Sequence, residues 1–333
     1  MTGSAAAAGR SATADLSARI DIAARRAAEK WLTGDVMSSA GAAVVDVVGR
    51  ALMEDLGGGR HPGVDVTTLA TVPPRTRSSG DVVAKAPGVL AGVTVAAAVF
   101  DAVAAVAGRT AEVEVLRSDA TSVRPGEPVL RVRGEVVDLL SAERTALNLL
   151  CQLSGTATLT ARWVDALAGT GAQVRDTRKT VPGLRHLQKY AVRCGGGHNH
   201  RMALSDAALI KDNHVVAAGG VSAAYQAVIE RFPDVAVEVE CDTLEQVVEA
   251  VTAGAQLVLL DNMSTEQLSA AVRAARAAVP AAGEVRLEAS GGLDLATARD
   301  VAATGVDFLA VGALTHSAPA LDLGFELYPP EER

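Results

Sequence analysis

Arg178 and Lys179 stand side by side in the run Asp176-Thr177-Arg178-Lys179-Thr180. Lys211 opens Lys211-Asp212-Asn213-His214, and His200 and Arg201 close the stretch Cys194-Gly195-Gly196-Gly197-His198-Asn199-His200-Arg201. Gathered in one pocket, Arg178, Lys179, Arg201 and Lys211 repel one another, so their natural occupant is a small polyanion such as a dicarboxylate. An arginine can grip a carboxylate through two parallel hydrogen bonds, which a lysine cannot. Glu240 and Asp261 are hard oxygen donors that suit Mg²⁺, an ion that keeps several waters and also holds substrate phosphates. Their charge would also stabilise a developing sugar cation. Ser290-Gly291-Gly292 and Gly312-Ala313 offer small side chains and open backbone N–H groups, the makings of a phosphate site.

These residues can converge only if the fold brings them to one end. All but His200 and Arg201, which a glycine loop would place, follow a short apolar run: Ala172–Arg175, Ala207–Ile210, Val235–Val239, Leu257–Leu260, Val285–Ala289 and Phe308–Val311. Continuous apolar runs suit strands covered on both faces, as in parallel sheets. Ala-rich helical stretches lie between them, so the pattern predicts six βα units and a barrel. In such folds the site lies at the carboxyl ends of the strands. The early strand ends then deliver cations, the middle ones carboxylates and the last two glycine-rich turns. No GxGxxG fingerprint follows a strand, which argues against a dinucleotide fold.

The chain has only five lysines, Lys30, Lys85, Lys179, Lys189 and Lys211, and two of them fall at these strand ends. Lys189 is read as structural, on the helix after the first run. His198 and His200 lack a third His or Cys at a characteristic spacing, which argues against zinc. The net charge of −8 argues against general nucleic-acid binding. Cys151, Cys194 and Cys241 show no CxxC and read as reduced thiols. No apolar run reaches the length of a membrane span, and acidic residues Asp15, Asp21 and Glu29 argue against a transit peptide. The expected location is the cytoplasm.

The expected organisation has four parts: residues 1–40 as a partly disordered tail with a helix over Asp21–Leu32, a first α/β domain over 41–150, the barrel over 151–315, and a C-terminal segment over 316–333. Within the first domain the expected elements are helices Ala43–Glu54 and Val93–Ala107 and strands Gly80–Lys85, Ala111–Leu116 and Pro128–Val137, before a helix Leu139–Leu153. By themselves, composition and spacing imply a barrel enzyme acting on phosphorylated, anionic small molecules.

Longer motifs carry a resemblance. Glu143-Arg144-Thr145-Ala146-Leu147-Asn148, Leu153-Ser154-Gly155, RDTRKT at 175–180, GGGHNHR at 195–201, IKDNH at 210–214, LLDN at 259–262, ASGG at 289–292 and VGALTHS at 311–317 resemble the quinolinate phosphoribosyltransferase family. The similarity runs from about residue 45 to 327. It implies an α/β sandwich domain followed by an incomplete (β/α) barrel, with the C-terminal segment returning to the sandwich. It implies transfer of phosphoribosyl from phosphoribosyl pyrophosphate (PRPP) to quinolinate with decarboxylation, in a homodimer in which Arg144 enters the partner's site. Arg144, Arg178, Lys179, Thr180, His200, Arg201 and Lys211 would bind quinolinate. Glu240, Asp261, Ser290, Gly291, Gly292, Gly312, Ala313 and His316 would bind PRPP, with Glu240 and Asp261 towards Mg²⁺. Lys179, Glu240 and Asp261 are the candidate catalytic residues. A paralogue taking nicotinate, a molybdenum-associated paralogue, or a non-catalytic metabolite sensor are the competing readings. One turn departs from the pattern: Asp119-Ala120 stands where Asp-Gly is expected.

Overall fold

The alternation of short apolar runs with Ala-rich segments is realised as an α/β architecture. The computed structural model describes residues 2–32, 35–58, 61–279 and 283–330, and the side chains of these except within 2–12 and 35–40. The chain divides into two compact units: Met1–Thr158 with Val181–Gly195 and Ala318–Arg333, and Leu159–Thr180 with Gly196–Ser317.

The first unit opens with helices α1 (Thr2–Trp31), α2 (Asp35–Leu56) and α3 (Val66–Thr71). Strands β1 (Arg77–Ala84) and β2 (Gly88–Val89), helix α4 (Val93–Val106), strands β3 (Glu112–Val115), β4 (Ser122–Val123) and β5 (Pro128–Glu135), and the start of helix α5 (Val136–Leu167) follow. Its main sheet is antiparallel in the order β12-β1-β5-β3, where β12 (Leu323–Leu327) comes from the C-terminal segment. Helix α4 is apolar almost all round, as a helix buried on every side must be. Its one charge, Asp101, accepts from Lys30 Nζ at 2.6 Å and from the Trp31 indole N–H.

Both partners of Asp101 come from α1, where a tail with a shorter helix was expected. Leu16, Ile20, Ala23, Ala24, Ala27 and Ala28 recur at helical spacing and are all buried in the core that α4 shares. An Ala-rich stripe looks weakly hydrophobic in sequence, yet it lets two helices approach closely. Helices α2 and α5 also outrun their expected limits, and Val136 and Val137 begin α5 rather than ending a strand.

The turn at Asp119-Ala120 is strained. Ala120 has φ +63°, a left-handed conformation that costs an L-residue roughly 1 kcal/mol. Asp119 holds the turn in place: its carboxylate accepts from Val93 N at 2.9 Å and from the Tyr190 hydroxyl at 2.7 Å. Ala120→Gly is expected to raise stability by about 0.5–1 kcal/mol, read from denaturant midpoints at unchanged slope.

The second unit starts with residues 159–167 of α5 and strand β6 (Gln173–Arg175). The next helix, α6 (Arg185–Cys194), groups with the first unit instead of covering β6, because Leu187 and Ala191 belong to that unit's core. Lys189 on α6 is fully buried. The chain then runs β7 (Ala207–Ile210), α7 (Asp212–Ala218), α8 (Val221–Arg231), β8 (Ala236–Cys241), α9 (Leu244–Thr252), β9 (Leu257–Asp261) and α10 (Thr265–Ala278). It ends with β10 (Arg286–Ser290), α11 (Ala298–Ala303), β11 (Phe308–Ala310) and α12 (Ala313–His316). All six strands are parallel, in the order β6-β11-β10-β9-β8-β7. Edge strands β6 and β7 do not pair with each other among the described residues, so the barrel is incomplete. Among the described residues no helix is long and apolar enough to cross a membrane.

Candidate active site

Strand periodicity decides which side chains share the interior. Side chains two apart point to one face, which groups Leu209 with Lys211, Leu259 with Asp261, and Glu288 with Ser290. The register aligns Glu240 with Leu259, Leu259 with Glu288, and Asp261 with Ser290. The result is a cavity of about 490 Å³ at the carboxyl ends of the strands, lined by Arg178, Lys179, His200, Arg201, Lys211, Glu240, Asp261, Ser290, Gly291 and Gly292.

The cationic side is built from two loops pinned together. Asp176, fully buried, accepts from His200 N at 2.8 Å and from Asn199 Nδ2 at 2.5 Å. His198 forms an isolated parallel bridge with Arg175 and donates from its N–H to Val174 O at 2.9 Å, which fixes the end of the glycine turn beside β6. Arg201 Nη1 donates to Ala207 O at 2.9 Å. Burial, then the charge of Arg178, lowers the Arg201 pKa from its ordinary value. Arg178 Nε is itself buried with no hydrogen-bond partner among the described residues. Two neighbouring half-buried guanidiniums, one with a buried N–H that no group among the described residues accepts, suit an anionic ligand.

The anionic side is half engaged. Glu240 pairs with Lys211 across adjacent strands β8 and β7. Asp261 accepts from Asn262 Nδ2 at 2.6 Å. Each carboxylate so keeps one oxygen not committed to these partners. Two such carboxylates are too few to enclose an ion alone, and fit Mg²⁺ that takes its other ligands from water and substrate phosphates.

Gly291 is sterically required, and Gly312 is closely confined. A Cβ on Gly291 would lie 2.1 Å from Asn262 Oδ1 and 2.9 Å from Asn262 N, and its φ is +91°. Gly312 lies against both Lys179 and His316: a Cβ there would sit 3.1 Å from Lys179 Cδ and 3.2 Å from His316 Nε2. Thr315 Oγ1 donates to Lys179 O at 2.9 Å, tying the first and last strand ends together.

Of the residues singled out in the sequence, Thr180, Gly312, Ala313 and His316 do not line the cavity; Gly312 and His316 stand behind Lys179. Arg144 is not a lining residue either; its side chain is two-thirds exposed, 3.9 Å from Glu143. Sequence reasoning missed Arg175, Glu238, Glu288 and Asn262. A charged residue inside an otherwise apolar parallel strand, two positions before a site residue, was the available signal for Glu238 and Glu288.

Comparison with known proteins agrees with this geometry. Residues 65–154 match the N-terminal domain, and residues 156–326 the C-terminal domain, of quinolinate phosphoribosyl transferase. The chain is 50% identical over 282 residues to a nicotinate-nucleotide pyrophosphorylase (carboxylating) of Mycobacterium leprae, covering 85% of this chain and 96% of that protein. It is 39% identical over 251 residues to the human protein of that name, covering 74% and 82%. A solved nicotinate-nucleotide pyrophosphorylase from Francisella tularensis superposes with a TM-score of 0.79 at 36% identity, covering 86% of this chain and 96% of that one. The chain belongs to the quinolinate phosphoribosyltransferase family.

Proposed function

We propose that the chain moves the phosphoribosyl group of PRPP onto the ring nitrogen of quinolinate and releases CO₂, giving nicotinate mononucleotide and pyrophosphate for NAD biosynthesis. One observation carries the reading in a chain of this family: two crowded arginines, carboxylates and glycine turns meet in a single cavity. Quinolinate has two carboxylates. Arg178, Lys179, Arg201 and Lys211 hold them, with His200 and Thr180 behind. The enzyme acts as a homodimer, and the partner subunit's Arg144 completes the cationic wall; its exposure and lack of a strong ion pair support that role.

Glu240 and Asp261 face the ribosyl carbon. As the bond to pyrophosphate breaks, that carbon becomes electron-deficient, and carboxylates already in place stabilise it without reorganisation. Glu240 and Asp261 would hold Mg²⁺, which would supply neutralising charge for the departing diphosphate. Ser290, Gly291 and Gly292, which line the cavity, hold the 5-phosphate, with Gly312, Ala313 and His316 following the neighbouring strand β11 at its margin. Lys179 lies between the acceptor and phosphate sides and orients both. Holding nitrogen and carbon in attack geometry supplies much of the rate. The cationic ring nitrogen then accepts the electrons left when the 2-carboxylate departs, and the ring carbon takes a proton. We place the reaction in the cytoplasm; the three free cysteines suit a reducing compartment.

Incubation with Mg²⁺, PRPP and either quinolinate or nicotinate tests the assignment. Equal amounts of CO₂ and nicotinate mononucleotide from quinolinate alone are expected. Turnover of nicotinate but not quinolinate would overturn the acceptor assignment.

Gly291→Ala separates the phosphate side. The added methyl meets Asn262 side chain and backbone and imposes a strained φ, so the KM for PRPP is expected to rise by about tenfold or more. Gly292→Ala, where a Cβ meets nothing within 4 Å, is expected to cost about 1 kcal/mol of backbone strain and disturb PRPP binding less. Initial rates across a PRPP series distinguish them.

A further inference from the structure

The proposed reaction makes no use of a charged cluster inside the second unit. Glu238 and Glu288 are 3% and 0% exposed. Glu238 Oε2 lies 2.6 Å from His200 Nε2, and Glu288 Oε1 lies 3.7 Å from the same nitrogen. Glu288 Oε2 accepts from Arg175 Nη1 at 2.5 Å. The remaining oxygens, Glu238 Oε1 and Glu288 Oε1, are buried without a hydrogen-bond partner among the described residues. Burial, and next the charge of Glu238, pushes the Glu288 carboxyl above its ordinary range. Such a pair is a poor way to stabilise a fold, since apolar residues of similar volume would do as well or better.

The hydrogen-bond directions show what the pair can do. Arg201 N donates to His200 Nδ1 at 2.7 Å. That nitrogen therefore carries no proton, and Nε2–H donates to Glu238. Both ring nitrogens are thus engaged inside the protein, and the imidazole links the buried carboxylates to the Arg201 backbone.

We infer that Glu238 and Glu288 are positioning residues for the acceptor, acting through His200 on Arg201. Glu238 fixes the imidazole tautomer, and Glu288, anchored by Arg175, sets its negative charge 3.7 Å from the same nitrogen. The fixed ring holds the Arg201 backbone, so the guanidinium meets the acceptor carboxylate despite repulsion from Arg178. His200 is then an internal strut. The inference rests on the reading of Arg201 as an acceptor ligand.

Glu238→Gln and Glu238→Leu in the full chain test it. The glutamine carbonyl can still accept from Nε2–H, whereas leucine cannot. Leucine is expected to raise the quinolinate KM about tenfold, the effect of leaving one buried donor unpaired. The KM for PRPP should stay unchanged, and glutamine should recover most of the loss. ¹⁵N-histidine spectra, assigned with a His200→Gln variant, should show the proton on Nε2 of His200 in the wild type and the Gln variant. Equal loss for both substrates, no rescue by glutamine, or a wild-type ring protonated on Nδ1 would overturn the inference. So would a stoichiometric divalent metal held by wild type and lost from the leucine variant. If the leucine variant fails to fold, the spectra and the glutamine kinetics still decide. Arg201→Ala with an unchanged quinolinate KM would sink the acceptor reading itself. A raised KM there, with Glu238→Leu silent, would sink only this inference.

Discussion

Asp261→Ala is expected to lower kcat by about a hundredfold, with little change in the KM for quinolinate. The residue ends β9 in register with Ser290 and lines the cavity that also holds Arg178 and Arg201. Its carboxylate accepts from Asn262 Nδ2, and Asn262 N donates in turn to Ser290 O at 2.9 Å. In the proposed mechanism a charge so fixed acts on the ribosyl carbon only as positive charge develops there. Its loss is felt in the transition state more than in the bound acceptor. Saturating rates with both substrates measure the effect, and an unchanged kcat would remove Asp261 from the mechanism. Asp261→Asn keeps the shape but not the charge, so it should resemble alanine if the role is electrostatic.

Arg201→Ala should do the reverse, raising the quinolinate KM by about a hundredfold while PRPP binding is largely kept. Truncating one member of a buried, hydrogen-bonded charge pair commonly costs 2–5 kcal/mol, roughly 30-fold or more. In the proposed site the partner is the acceptor's carboxylate. Arg201→Lys should recover little, because a point charge cannot replace the planar fork. Initial rates over a grid of both substrates give the two KM values. Equal loss for both would show that the cavity has collapsed as a whole and would count against separate acceptor and phosphate sides. Arg201 is half-buried beside the Arg178 guanidinium, and both burial and that charge lower its pKa, a cost that the proposed acceptor would offset.

Much of this was legible in the residues alone. All six apolar runs became the strands of one parallel sheet, because continuous apolar segments of that length can be buried only between two covering layers. The polar residues at their ends had to share one end of it. Hence Arg178, Lys179, Lys211, Glu240, Asp261, Ser290, Gly291 and Gly292 could be named from spacing, and Arg201 from the glycine loop before it. What spacing could not fix was anything decided by contact across the sheet. Strand order places the cations of β6 and β7 on opposite edges and the carboxylates between them, an arrangement no local pattern encodes. Helix α1 was read as largely a tail because its alanines gain their burial only against α4. Helix α6 follows a barrel strand in sequence and joins the other unit's core, since an amphipathic face packs wherever a matching surface is offered. Glu238 and Glu288 passed as strand residues because a buried charge declares itself only through its partners, and theirs lie 38 and 113 residues away in the chain. Residue type and period set which side chains could reach the site; non-local packing set which of them touch, and so which way His200 and Arg201 are held.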